Sequence, residues 1–249
     1  MDWRDEGIIL GTRRHGETSV IVELMTREHG RHLGLVQGGR SRKMQPLLQI
    51  GNRVSAEWRA RLDEHLGQYV LEPLSFLSAK LIESRLALSG VQLLAAHLRL
   101  LPERDPHEQL FEAFAITLGC FDNPAQAGEL IARFELKLLE ELGFGLDLDE
   151  CAATGRRDEL IWVSPKSGRA VCREAGAPYA DKLLALPDFL QQMPGRGAGV
   201  SALDAAWILN GFFLSRDVYG PRGIEPPDAR SAFINAIRKL LSASAQAAA

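Results

Sequence analysis

The stretch GIILGTRRHGETSVIVELMTREHGRHLGLVQ, residues 7–37, determines the class of the N-terminal fold. It contains apolar runs of strand-forming residues, and glycine-containing turns separate these runs. Gly30 closes one of the turns, because glycine adopts a positive φ without steric cost. Two further short runs follow at residues 54–61 and 68–72, and Pro73 ends the last of them. This spacing predicts a small antiparallel barrel of four or five strands.

Beyond the barrel the apolar residues recur at helical spacing, which predicts a mainly helical second part. Acidic or amide residues followed by proline, a combination typical of helix N-termini, precede two of the predicted helices. A β-hairpin is predicted at residues 160–172, and the segment from Ser201 to Asp204 resembles a capping box. The predicted helices span residues 78–101, 106–120, 124–142, 201–214 and 228–241.

The composition is that of a globular protein, with 46% hydrophobic and 24% charged residues among 249. Charged residues interrupt every apolar stretch well before the roughly 20 residues that a membrane-spanning helix needs. The N-terminus, MDWRDE, is acidic and polar, unlike a secretory signal. Three cysteines are too few for a disulfide framework and suit a reducing compartment. We therefore expect a cytoplasmic protein with no membrane association.

The net charge of −3 conceals a basic segment near the N-terminus. Between residues 31 and 61 there is a single acid, Glu57, among seven basic residues. Such a local excess of positive charge attracts polyanions, because binding to phosphates releases condensed counterions. A solvated basic surface without a ligand is the alternative. The candidate polyanion-binding residues are Arg31, Arg40, Arg42, Lys43, Arg53, Arg59 and Arg61.

Motifs for common enzyme chemistries are missing from the sequence. It contains no glycine-rich phosphate loop with the following Lys and Ser or Thr, so the use of ATP is not expected. Neither a Gly-x-Ser-x-Gly elbow nor a His-Glu-x-x-His motif is present. Acidic residues between positions 140 and 150 are the remaining candidates for a catalytic carboxylate pair. A solvated helix end is the other interpretation, and we expect a protein that is not an enzyme.

The cysteines outline an incomplete metal site. A structural zinc ribbon needs two Cys-x-x-Cys pairs, one on each side of a hairpin, so that four thiolates converge. Here Cys151 precedes the predicted hairpin and Cys172 follows it, but Thr154 and Ala175 stand where the second cysteines would be. Two thiolates alone rarely hold zinc, so we expect a ribbon-like hairpin without metal. A partial site completed by an Asp or His from elsewhere is the alternative.

Several segments, taken in order, resemble the bacterial recombination mediator RecO family. Residues 7–30 resemble the opening of the family, and QGGR at residues 37–40 resembles the start of its basic loop. RFELKLLEELG at residues 133–143, followed by LDEC at 148–151, resembles its most distinctive central stretch. IEPPDAR at residues 224–230 is compatible with its tail segment. The order and spacing of these segments together carry the resemblance.

The resemblance implies an α+β multidomain chain, an N-terminal OB-fold β-barrel followed by an all-α domain with a zinc-ribbon-like β-hairpin insert. On this sequence the OB-fold covers residues 1–73, the helical domain residues 74–249 and the insert residues 144–177. Some members bind zinc through four cysteines. This sequence departs from that pattern at Thr154 and Ala175, so no metal or cofactor is carried over and Cys151 and Cys172 are vestigial ribbon positions.

The resemblance also implies partners. Family members bind single- and double-stranded DNA, anneal complementary strands without ATP, and are associated with the nucleoid. With RecR, and in some settings RecF, they help RecA replace single-strand binding protein (SSB) on DNA. The seven basic residues named above then become DNA-binding candidates. An OB-fold module that binds RNA or the ribosome would share the same charge pattern and is the alternative function.

Two further expectations concern single positions. Trp58 lies among the barrel arginines, and we favour a core position for it over base stacking, so DNA contacts should be mainly to phosphate. Arg133 and Lys137 lie four residues apart on one helix face. They are candidate contacts for the acidic SSB C-terminal tail with its apolar end. Ordinary i,i+4 pairing with Glu129 and Glu141 is the alternative.

Overall fold

The computed structural model describes residues 1–62, 64–191 and 198–247 of the chain. The chain divides into two compact units, Met1–Gly119 and Cys120–Ala249. The described residues of the first unit form five strands and three helices. They are β1 (Asp2–His15), β2 (Ser19–Thr26), β3 (Arg31–Val36), β4 (Arg53–Arg59), β5 (Gln68–Ser75), α1 (Ser78–Glu83), α2 (Arg85–Leu98) and α3 (Glu108–Leu118).

The five strands close into a barrel in the order β1-β2-β3-β5-β4. Neighbouring strands are antiparallel except β3 and β5, which are parallel and meet through Leu35 and Gln68. Side chains alternate between the core and the surface, as they must in a strand with one wet face. In β4, for example, Val54, Ala56 and Trp58 are fully buried. The predicted OB-fold barrel is therefore confirmed.

The helix predicted over residues 78–101 is wrong, because two helices occupy this segment. Ser84 separates them with an extended backbone (φ −109°, ψ 120°), and its side chain accepts a hydrogen bond from the backbone N–H of Ala87 (3.2 Å). Serine is a preferred N-cap residue, because its side-chain oxygen accepts from a backbone N–H in the first turn that has no partner inside the helix. Helical periodicity continues across the break, so the pattern of apolar residues alone does not reveal it.

Backbone contacts attach the segment before α3 to the barrel. The N–H of Arg104 donates to the carbonyl of Arg31 (2.8 Å). A Cβ atom at Gly30, where φ is +64°, would lie 1.9 Å from the carbonyl oxygen of Asp105, so only glycine fits there. These contacts explain why the first unit extends to Gly119. The domain boundary predicted at residue 73 stays a prediction.

The second unit is mainly helical and carries a small sheet. Its elements are α4 (Pro124–Glu141), β6 (Leu160–Val163), β7 (Ala170–Cys172), α5 (Arg173–Gly176), β8 (Leu184–Ala185), α6 (Val200–Phe213), a π-helix (Leu214–Tyr219), α7 (Gly220–Arg222) and α8 (Asp228–Ala247). The predicted hairpin is present as β6 and β7, and β8 adds a third strand beside β6. None of the helices in the described ranges is long and apolar enough to cross a membrane.

The capping box predicted at Ser201 is wrong. Helix α6 begins one residue earlier, at Val200, with Gly199 at the N-cap position and no side-chain cap. The last helix extends past its predicted end at residue 241 to Ala247. Alanine and serine in this tail permit helix even though they supply no apolar face, since alanine has the highest helix propensity.

Candidate nucleic-acid interface and partner groove

A basic loop of residues 38–45 follows β3 and is fixed to the turn between β1 and β2. The backbone N–H of Arg40 donates to the carbonyl of Thr18 (3.0 Å). Its guanidinium donates to the carbonyls of Gly16 (3.5 Å) and Glu17. Carbonyl oxygens orient the guanidinium but leave its charge uncompensated, so Arg40 remains available for an anion.

Cations concentrate around this basic loop. Arg42 and Lys43 are exposed on it, and Arg13 and Arg14 are exposed at the end of β1. Arg14 and Arg40 both line one cleft of about 320 Å³. Among the described residues no carboxylate forms an ion pair with any of these five side chains. The polar remainder of the cleft is contributed by Thr12, Gly39, Gln45 and Gln49.

Three candidate arginines on the strands differ from the cations of the basic loop, because each forms an ion pair with a glutamate of the first unit. These pairs reduce the charge that is available to a phosphate, and the Arg31 side chain is only 14% exposed. The seven candidates therefore do not form one patch. The pairs are Arg31 with Glu23, Arg53 with Glu6, and Arg59 with Glu57.

Arg61 lies outside the basic loop, in a separate groove of the first unit. It is exposed and lines a groove of about 650 Å³ together with the paired Arg59. Leu35 and Val70 contribute apolar surface to this groove, and His65 contributes an imidazole. The groove could hold a base beside a phosphate, but it carries less uncompensated charge than the cleft beside the basic loop.

The barrel aromatics are not presented to a ligand. Trp58 is fully buried, and its indole N–H donates to the carbonyl of Leu66 (3.0 Å). Trp3 is half-buried and stacks on His29 with ring centroids 4.2 Å apart. Tyr69 is buried and bonds His32 through its hydroxyl (2.9 Å). The core position favoured for Trp58 is confirmed, and mainly phosphate contacts to DNA stay a prediction.

Arg133 and Lys137 line a single groove on the second unit. Its volume is about 300 Å³, and Glu140 and Asp149 also line it. The groove therefore carries two cations and two carboxylates beside an apolar floor. The cations and the apolar floor are the features that suit an acidic peptide with an apolar end. The apolar floor is formed by Leu136, Leu146, Leu148 and Leu190.

Both groove cations also form the intrahelical pairs expected from their spacing. Arg133 donates to Glu129 (3.0 Å) and to the carbonyl of Phe189. Lys137 lies 2.9 Å from Glu140 and 3.0 Å from Glu141. Burial lowers the pKa of Lys137, but these two carboxylates outweigh it and raise the pKa above the ordinary value. The ammonium is therefore charged at neutral pH.

The carboxylates near residues 140–150 are engaged with cations on an open surface. Glu140 and Glu141 bond Lys137. Asp147 and Glu150 lie 3.0 and 3.3 Å from the guanidinium of Arg169. Paired acids of this kind lack the desolvated setting that separates the pKa values of a catalytic pair. This arrangement does not support the alternative of an enzyme.

The cysteine region forms a compact hydrogen-bonded cluster. Cys151 and Cys172 are each 1% exposed, and the backbone N–H of Cys172 donates to the Cys151 sulfur (3.3 Å). Burial raises the pKa of Cys151, but bonds from the Thr154 hydroxyl and from the N–H groups of Cys172, Ala153 and Thr154 lower it to about 6. Within residues 1–62, 64–191 and 198–247, no three His, Cys, Asp or Glu side chains converge as metal ligands do.

Comparison with known proteins identifies the family. The model "Recombination protein O N terminal" matches residues 1–75, and "Recombination protein O C terminal" matches residues 83–219. The chain is 62% identical to the DNA repair protein RecO of Brucella abortus (strain 2308) over 244 residues, which is 98% of this chain and 99% of that protein. The chain belongs to the RecO family.

Other RecO proteins match over a similar length. That of Mesorhizobium japonicum is 62% identical over 239 residues, 96% of this chain and 94% of the relative. That of Sinorhizobium medicae is 58% identical over 248 residues, 99% of both chains. RecO proteins act in DNA repair as mediators and not as catalysts. The family resemblance and the non-enzymatic class expected from the sequence are confirmed. The zinc-ribbon character of the hairpin and the lack of metal in this chain stay predictions.

Two sequence segments that carry the RecO resemblance meet in the core of the second unit. Glu135 on α4 is fully buried and forms a two-pronged ion pair with Arg230 on α8 (2.7 and 3.1 Å). Asn210 on α6 donates to the same carboxylate (3.2 Å). Burial disfavours the charge of Arg230, but Glu135 outweighs it and raises the pKa of the guanidinium. This cluster is structural, since it fastens three helices together.

Proposed function

We propose that this protein binds single- and double-stranded DNA through the basic loop and the adjoining end of β1, and that it anneals complementary strands without ATP. The observation that carries the proposal is the contrast among the basic residues. Arg40, Arg42 and Lys43 have no carboxylate partner among the described residues, and neither do Arg13 and Arg14. The candidate arginines on β3 and β4, in contrast, each form an ion pair with a glutamate. Of the seven candidate residues, the loop cations therefore make the larger contribution.

Annealing needs no covalent chemistry. Two phosphate backbones repel one another, and a cationic surface that lies between them lowers this repulsion so that the bases meet. Phosphate contacts carry little sequence information, which suits a mediator that must act on any sequence. Arg40 is fixed by backbone carbonyls while its neighbours Arg42 and Lys43 project into solvent. The basic loop thus combines one oriented cation with two adaptable ones.

The second unit serves protein partners in this proposal. The groove of Arg133 and Lys137 receives the SSB C-terminal tail, whose acidic residues meet the two cations and whose apolar end meets the leucine floor. RecR, and in some settings RecF, join the complex, and RecA then replaces SSB on the DNA. The protein accordingly works in the cytoplasm at the nucleoid.

Annealing of SSB-coated complementary strands tests the proposed function. We expect the protein to accelerate pairing to the same extent with and without ATP, because the mechanism is electrostatic. Energy transfer between labelled strands measures the rate. RNA strands of equal length provide the comparison that separates the two functions. A requirement for ATP, or a preference for RNA through its 2′-hydroxyl groups, would contradict the proposal.

Substitution of Lys137 by Ala should weaken the binding of a labelled SSB-tail peptide by about tenfold or more, since a hydrogen bond to a charged group contributes about 1.5–3 kcal/mol. Arg133→Ala should do the same but also removes the guanidinium that bonds Glu129, so its fold needs a separate check. Lys166→Ala, at an exposed position in the hairpin turn, is the matched control. Equal peptide affinity for Lys137→Ala and the control, measured by fluorescence anisotropy, would refute the groove assignment.

A further inference from the structure

The end of β1 extends beyond its pairing with β4. Strand β1 pairs with β4 only from Asp2 to Ile8, whereas its pairing with β2 continues to His15. Within the described part of the chain, residues 11–15 of β1 therefore have β2 on one side and no strand on the other. Residues 11–15 of β1 and 19–23 of β2 are called the outer hairpin below. Each of its two faces can border a separate ligand site.

Two neighbouring arginines of the outer hairpin line two different clefts, because consecutive side chains of a strand point to opposite faces. Arg14 lines the cleft beside the basic loop, together with its cross-strand partner Val20. Arg13 lines a second cleft of about 310 Å³, together with its cross-strand partner Ile21. Thr12 lines both clefts, so the two clefts adjoin there, on the strand whose outer edge is free.

The second cleft carries an excess of positive charge. Glu23 is the carboxylate among its described lining residues, and it bonds both Arg99 (2.7 Å) and Arg31 (2.9 Å). Arg31 also lies 3.6 Å from Glu103. Three arginines thus accompany two carboxylates, and the charge of Arg13 is left without compensation among the described residues.

The guanidinium of Arg99 is oriented within this second cleft. Besides its bond to Glu23, it donates to the backbone carbonyl of Leu10 (2.8 Å). Gly11 makes room for it, because a Cβ atom there would lie 2.6 Å from its Nη2 atom. The Arg99 side chain is nevertheless 42% exposed and can be reached from solvent. An oriented guanidinium beside an uncompensated one suits a phosphate group.

We propose that the two faces of the outer hairpin bind two nucleic-acid strands at once. The first strand lies in the cleft of Arg14 and Arg40, and the second lies in the cleft of Arg13 and Arg99. The assignment rests on the proposed function and adds to it a second site for a sugar–phosphate backbone and a stoichiometry of two strands per chain. The first cleft binds its strand more tightly, because the other cations of the basic loop adjoin it.

Two sites on one hairpin give annealing a physical route. A single site would make the two strands compete for the same cations, whereas separate faces allow both to stay bound. Because the clefts adjoin at Thr12, the bound strands approach one another along the free edge of β1. Their bases can meet there while the arginines of each face neutralise the phosphates.

Energy transfer between two labelled oligonucleotides on the full-length protein tests this assignment. Both are thymidine strands of about eight nucleotides, which is within the site size of one OB-fold. Such strands cannot pair with each other, so energy transfer requires that the protein holds both. We expect transfer at low salt, and sedimentation should give the mass of one chain with two oligonucleotides.

Arg13→Ala and Arg14→Ala are matched variants, since each removes one exposed and uncompensated charge from a neighbouring position. At about 0.1 M salt, Arg14→Ala should weaken the first, tighter binding step by about fivefold, and Arg13→Ala should weaken the second step by the same factor. Gly11→Ala should also weaken the second step, because the added methyl group displaces the Arg99 guanidinium without a change in charge. Lys166→Ala, in the hairpin turn of the second unit, is the control and should change neither step.

Two results would overturn the assignment of two strands. The first is a saturated complex that contains one oligonucleotide per chain and shows no energy transfer. The second is an equal loss in one and the same binding step for Arg13→Ala and Arg14→Ala, since a single site would then include both arginines. Either result leaves DNA binding, and with it the proposed function, intact. A protein that binds no oligonucleotide even at low salt would contradict both.

Discussion

Replacing Arg40, Arg42 and Lys43 together by Ala should weaken the binding of single-stranded DNA by about 100-fold at about 0.1 M salt. Each phosphate contact on a single strand releases about 0.7 counterion, so each lost contact costs about fivefold at this salt concentration. The slope of log affinity against log salt should become shallower by about 2. Fluorescence anisotropy titrations at several salt concentrations measure both quantities.

A triple variant with the same change in charge provides the control. Arg4, Arg53 and Arg59 lie on β1 and β4, and each bonds a carboxylate. Their replacement by Ala removes three positive charges that are already compensated, so we expect affinity to fall by less than about fivefold. Equal losses in the two triple variants would mean that net charge, and not the basic loop, determines binding.

The barrel was predictable from the sequence because its information is local. Alternation of buried and exposed residues in β4 follows directly from the period of two in the sequence. Several short elements of the second unit escaped prediction, among them β8, which has two residues and therefore no readable period. The break at Ser84 also escaped, because a cap interrupts the backbone without interrupting the apolar pattern.

The candidate interface was only partly predictable, because some of its contacts join residues that are far apart in the sequence. The basic loop is continuous in sequence, flanked by Gly38 and Gly39, and can be recognised there. The ion pairs of the strand arginines cannot be recognised in the sequence, since partners such as Arg53 and Glu6 lie 47 positions apart. Arg14 was missed because it lies outside the basic segment, although the turn at Gly16 was a signal that β1 and β2 form a hairpin.

The buried ion pair between α4 and α8 shows why motif residues need not be ligand residues. Glu135 lies in the central RecO-like stretch and Arg230 in the tail segment, 95 positions apart. Their guanidinium–carboxylate pair is nearly dehydrated, with exposed fractions of 15% and 0% for the two side chains. Arg230 also donates to the carbonyl of Trp207 on α6 (2.9 Å). Losing either partner would leave a charge in the core without compensation.

Arg230→Ala should therefore lower the free energy of unfolding by about 3–5 kcal/mol, the usual effect of breaking a buried ion pair from one side. Arg238→Ala removes an exposed arginine on the same helix that pairs with Asp204, and should cost no more than about 1 kcal/mol. Urea unfolding followed by circular dichroism measures both variants. Replacing Glu135 and Arg230 together by Met should restore much of the loss, because no buried charge remains. A small loss in Arg230→Ala, similar to that of the surface variant, would show that water reaches Glu135 and that the pair does not hold the helices together.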